Sequence, residues 1–161
     1  MPKLVDTRGD LVSDAKLSLD MPRVLAASAA EKNNSQASQE IDPRLSNTTQ
    51  LVIGGDGSVS DIESYLPQLT LIAIEFPSFM DGRGFSLAQK LCTHPNFKGE
   101  LRACGNFMLD QLHYLKRCGF SSFELGDDAD LETARTTLNA FSEHYQAACD
   151  ESQPLYRRRA S

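Results

Sequence analysis

The sequence lacks several features that would each have pointed to a function. No apolar run approaches the roughly 18 residues of a membrane-crossing helix, so no span or anchor is expected. Lys3 and Arg8 are not followed by the apolar stretch of a secretory signal, which makes the cytoplasm the expected compartment and reduced thiols the expected state. Cysteine is sparse and scattered. Cys92, Cys104, Cys118 and Cys149 lie 12, 14 and 31 positions apart, matching neither a CxxC redox pair nor the paired spacing of zinc and iron–sulfur sites. They read as buried structural thiols, and neither a metal nor a cofactor is expected. Basic charge is in deficit: 16 Lys and Arg against 22 Asp and Glu give a net charge of −6. That opposes a general nucleic-acid role, because phosphate binding needs a basic face. The three histidines, His94, His113 and His144, occur without HExxH or a serine elbow, which argues against a hydrolytic triad.

At 161 residues the chain has the length of one domain. Its composition divides it into an N-terminal arm with a polar linker at 1–49, an α/β domain at 50–149 and a basic tail at 150–161. In the arm, Leu4-Val5, Leu11-Val12 and Val24-Leu25 are short apolar pieces between turn residues, predicting short strands or a hairpin. Residues 27–39 are too poor in apolar side chains to offset the entropy of ordering and read as a linker. The tail carries Arg157, Arg158 and Arg159 after Pro154 and reads as a solvated or disordered end.

Strand and helix signals alternate from Gln50 onward. Leu51-Val52-Ile53 predicts a buried strand, and Ser60 to Glu63 has the spacing of a capping box for a helix with Val59, Ile62, Tyr65 and Leu66 on one face, ended by Pro67. Residues 69–76 are apolar except for Glu75, the pattern of a central strand covered on both faces. A loop leads to a helix presenting Leu87, Ala88, Leu91 and Cys92. The next strand places Leu101 and Ala103 on one side and Glu100, Arg102 and Cys104 on the other. Asn106 is the expected N-cap of a helix with Met108, Leu112 and Leu115 in its stripe and Gly119 at its end. After a strand over 120–125, the last helix is expected to carry Leu131, Ala134, Leu138, Phe141, Tyr145 and Ala148 inward. Consecutive βα units imply a parallel sheet, open or curled like half of a barrel. An open edge or apolar face would favour a homodimer completing a barrel-like core.

In parallel α/β folds, ligands gather beyond the carboxyl ends of the strands. Four loops qualify, at 54–58, 78–84, 105–106 and 126–128. In the second, Asp81 and Arg83 alternate with Gly82 and Gly84 directly before a helix, which suits either an anion clamp or a helix cap with its own ion pair. Glu100 and Arg102 form a polar pair on one strand face and suit an anion, a proton transfer or a structural ion pair. Asn106, Asp110 and Gln111 sit where a helix N-terminus meets the same rim and complete the candidate set.

FPSFMDGRGFSLAQKL at 76–91, GELRACG at 99–105, DQLHYLKRCGF at 110–120 and the following SSFEL resemble the signature of an uncharacterised bacterial family, domain-of-unknown-function family nine hundred and thirty-four. The resemblance covers about 50–141. It implies a link to assimilatory sulfite reduction, and members are sometimes labelled oxidoreductases. Cys92 stands where the family pattern carries arginine, so no role is carried over to it. The resemblance supplies no mechanism, and the chain has no cysteine grouping for the cluster of a six-electron reductase. Two expectations follow: an accessory adaptor that docks on the sulfite-reducing enzymes, or a small oxidoreductase or anion-binding enzyme centred on Asp81 and Arg83. Whether it is catalytic stays open at this level.

Overall fold

The computed structural model describes residues 2–12, 21–24 and 48–159, so the predicted linker lies outside the described residues. Runs of apolar and β-branched residues bounded by glycine, proline and polar turns form six strands: β1 (Lys3–Asp6), β2 (Arg23–Val24), β3 (Gln50–Gly54), β4 (Leu71–Phe76), β5 (Glu100–Gly105) and β6 (Ser122–Leu125). They make one sheet in the order β1-β6-β5-β4-β3-β2. Strands β2 to β6 run parallel and in chain order, as the βα alternation predicts.

Both edges come from the N-terminal arm. β2 adds to β3 in parallel, while β1 pairs antiparallel with β6 at the other edge. The predicted hairpin forms there: Val5 bridges Leu11, and Val12 N–H donates to Leu4 O at 2.9 Å around the turn at Gly9, where φ is 81°.

Because each parallel strand lies beside its predecessor, right-handed crossovers return over one face of the sheet. That face is apolar apart from Lys3 at the β1 edge, which lies opposite Leu125 and donates to Ala129 O at 2.8 Å. Leu51, Ile53, Ile72, Ile74, Phe76, Leu101, Ala103 and Phe123 form one cluster with Leu87, Ala88 and Leu91 of α1 (Arg83–Cys92), Leu112 and Leu115 of α2 (Leu112–Arg117), and Ala134 and Leu138 of α3 (Leu131–Leu138). On the opposite face Val52, Leu71, Ala73 and Cys104 pack with Met21, flanked by Glu75, Arg102 and Glu124.

Several local expectations are corrected. The helix after β3 is a pair of 3₁₀ segments, Val59–Asp61 and Glu63–Gln68, with the capping box formed by Ser58 and Asp61 and with Pro67 inside the second segment. So short a piece does not recover the cost of nucleating an α-helix, and Pro67 removes a donor. Asn106 does not cap α2. A 3₁₀ turn over Leu109–Gln111 leads into the helix, and Met108 is 49% exposed rather than in the stripe.

Asp130 caps α3 through Glu132 N–H and Thr133 N–H, and the helix ends at Leu138, leaving Phe141 and Tyr145 each 64% exposed. The segment beyond is held by Arg117 at the end of α2. Its guanidinium donates to Asp150 at 2.6 Å and to Gln146 O, while its carbonyl accepts Cys149 N–H at 3.2 Å. The basic tail is not a free end either: α4 (Leu155–Arg158) folds back, with Arg158 paired to Glu143 at 3.0 Å and Glu151 at 3.7 Å. Gly119 closes α2 with φ of 104°, as expected of a C-terminal glycine.

Candidate functional site: the rim of the parallel strands

The carboxyl ends of β3 and β4 frame a cavity at the rim. It encloses about 490 Å³ and is lined by Arg23, Val52, Gly54, Asp56, Glu75 and Arg83 among others. A second, of about 260 Å³, adjoins it and takes in Ser58, Ser86 and Lys90. Gly55, Asp56 and Arg83 line both. The two come close because α1 starts hard against β4: a Cβ on Gly84 would lie 2.6 Å from the Phe76 ring, so only glycine lets the helix begin there.

Asp81 and Arg83 meet as predicted. Arg83 Nη2 lies 2.7 Å from Asp81 Oδ2, Nε donates to Oδ1 at 3.0 Å, and the Arg83 N–H donates to Oδ1 at 3.1 Å. Hydrogen bonding from the Arg83 side chain holds the Asp81 carboxyl down at about 2. A general base or acid at neutral pH needs a value near the working pH, so this geometry favours fixed charge over proton transfer. Arg83 itself stays exposed and faces both cavities.

Asn106 and Gln111 reach the same loop through its backbone. Asn106 Nδ2 donates to Pro77 O at 3.1 Å and its N–H to Phe76 O at 2.7 Å. Gly105, at φ 91°, allows this approach: a Cβ there would sit 2.5 Å from Phe76 O. Gln111 Nε2 donates to Phe79 O at 3.0 Å while its Oε1 accepts Met108 N–H at 3.0 Å. Within the loop, Asp81 N–H donates to Ser78 O at 3.0 Å. The loop is braced from three sides, yet its tip presents Phe79 at 52% and Met80 at 81% exposure. The Gln111 amide sets Met108 beside them, and Tyr114, one turn further along α2, packs its exposed ring 5.2 Å from Phe85.

Glu100 and Arg102 lie elsewhere. Glu100 opens β5, five residues from Gly105 and so about 17 Å from the rim at 3.3 Å per residue. Arg102 is 4% exposed and donates to Ser122 Oγ at 3.0 Å and Glu100 Oε1 at 3.3 Å, with Ser122 Oγ also donating to Glu100. This is a structural polar cluster on the sheet's second face. Asp110 is exposed in the 3₁₀ turn before α2.

Arg23 went unrecognised in the sequence. It pairs with Glu75 across β3, and its two-residue strand carries no periodic signal; only the register Arg23 to Val52 brings it to the cavity. At the far end of the rim a third cavity, about 450 Å³, runs between Asn106, Glu124, Asp128 and Asp130. Among the described residues no group of three or more His, Cys, Asp or Glu side chains is placed to hold a metal ion, and no helix is long and apolar enough to cross a membrane.

Fold and rim together define a single-sheet α/β protein with chain-order parallel strands and a braced, apolar-tipped loop after its central strand. Over residues 50–156 the chain matches the family described as bacterial protein of unknown function (DUF934), and it belongs to that family. No curated protein and no solved structure matches it.

Proposed function

We propose that this chain is an adaptor that docks on a partner protein through the loop after β4, with the sulfite-reducing enzymes as the partner that the sequence resemblance suggests. The supporting observation is the mismatch between the loop's rigidity and its exposure. Phe79 and Met80 stand in solvent on a backbone fixed by Asn106, Gln111 and the Asp81–Arg83 pair. A braced loop loses little entropy on association, and large apolar side chains at such a tip are the usual anchors of an interface. Asn106 and Gln111 then serve as positioning residues for the docking loop.

A second reading rests on Arg83, which faces two adjoining cavities that also hold Arg23 and Lys90. Here the rim binds a small anion such as a sulfur oxyanion or a phosphorylated ligand. One preparation separates the two. Purified full chain mixed with assimilatory sulfite reductase is expected to co-elute, and Phe79→Ala with Met80→Ala to weaken the complex at least about tenfold, roughly 1.4 kcal/mol. Absence of a complex, together with a Tm rise on adding sulfite or phosphate that Arg83→Ala abolishes, would replace docking by anion binding.

A further inference from the structure

Three of the four cysteines, distant in sequence, converge behind α1 and α2. Cys92 is the last residue of α1, Cys118 follows α2, and Cys149 lies in the segment that Arg117 straps across the end of α2. Their meeting point is Gly119. A Cβ built there would lie 2.8 Å from Cys92 Cβ, 3.0 Å from Cys92 Sγ and 3.2 Å from Cys149 Cβ. Cys92 and Cys149 therefore approach one position from two sides, and both are half-buried with free thiols.

The other two thiols are differently placed. Cys118 is fully buried and receives Gln89 Nε2 at 3.7 Å, whereas Cys104 lies on the other face of the sheet and donates to Ile74 O at 3.5 Å. Cys149 also lines a cavity of about 510 Å³ with Ser86, Gln89, Lys90 and Thr93, room enough for a small molecule to reach that member of the pair beside a cationic side chain.

We infer that Cys92 and Cys149 form a redox-active dithiol whose substrate is a low-molecular-weight disulfide, and that its oxidation joins the C-terminal strap covalently to α1. Burial, and after it the adjacent Cys92 thiol, push the Cys149 thiol up, a sign of how closely the two sulfurs are placed. One member of the pair, as thiolate, attacks one sulfur of the disulfide, forming a mixed disulfide and releasing one thiolate. The other cysteine then gives up its proton to that thiolate and attacks the protein sulfur of the mixed disulfide, expelling the second thiolate, which takes a proton from water. Two electrons pass from the protein to the small disulfide, and two small thiols leave. The inference is independent of the docking loop.

Trypsin places each cysteine in a separate peptide, which makes the pairing readable. Reduced, folded full chain is incubated with glutathione disulfide, alkylated, digested without reductant and mapped by mass spectrometry. Free thiols are expected to fall from four to two, with the peptide bearing Cys92 joined to that bearing Cys149. Cys149→Ser and Cys92→Ser are each expected to form no internal disulfide and to carry a glutathione adduct, at most, on the remaining thiol of the pair. Four persisting free thiols, a linkage through Cys104 or Cys118, or a wild-type adduct that never resolves would each overturn the inference. The wild-type map is decisive even if a variant fails to fold.

Discussion

The two faces of one sheet are built on different principles. Toward the helices, the strand residues are apolar except for Lys3 at the β1 edge, and a single cluster runs from Leu51 to Phe123. On the other face a small apolar strip, Val52, Leu71, Ala73 and Cys104, is bordered by Arg23 with Glu75 and by Glu100 with Arg102 and Ser122. Chain-order parallel strands send the crossovers to one side, so the helices bury that face by non-directional burial. Among the described residues the second face has no crossover helix and uses directional pairing of charges, whose net contribution is smaller because each must first be desolvated.

The difference can be broken by substitution. Phe76→Ala should have the largest effect, about 3–5 kcal/mol from the urea midpoint, since a fully buried ring packed on Phe85, Phe107 and Phe120 leaves a cavity. Arg102→Ala comes next. Removing one partner of a buried pair costs about 3–5 kcal/mol, but Glu100 is 40% exposed and can rehydrate, so about 2 kcal/mol is expected, with Arg102→Met recovering most of it. A larger loss than for Phe76→Ala, or no rescue by methionine, would show that the polar face carries the fold as much as the helical one. Glu75→Gln should matter least, below about 1 kcal/mol, because its pair with Arg23 is 42% and 37% exposed. A clear drop in Tm for this variant would mean that β2 is held to the sheet mainly by charge.

The sheet was readable from particular residues. Alternation in Glu100, Leu101, Arg102, Ala103 and Cys104 assigned each side chain to the face it occupies, because a strand's period of two is a local property. The C-terminal segment was not readable. Phe141 and Tyr145 continue the helical period of Leu131, Ala134 and Leu138, but the helix ends at Leu138 and residues 146–150 bond instead to Arg117, remote in sequence. The same limit applies at the rim. Asp81 and Arg83 are two positions apart, and their pair was foreseeable. Asn106 and Gln111 act on carbonyls 29 and 32 residues away, and nothing in their spacing marks them as braces of a loop.

By itself, then, the sequence determined what depends on neighbours along the chain: the βα alternation, the facing of β5 and the glycine that ends α2. Tertiary structure alone decided which distant groups meet. It set Arg23 beside Glu75, gathered Cys92, Cys118 and Cys149 around Gly119, and exposed Phe79 and Met80 on a fixed loop. The reason is physical: local preference is fixed by torsions and periodicity within a few residues, whereas a contact between remote side chains exists only once strand order and register have closed the chain upon itself.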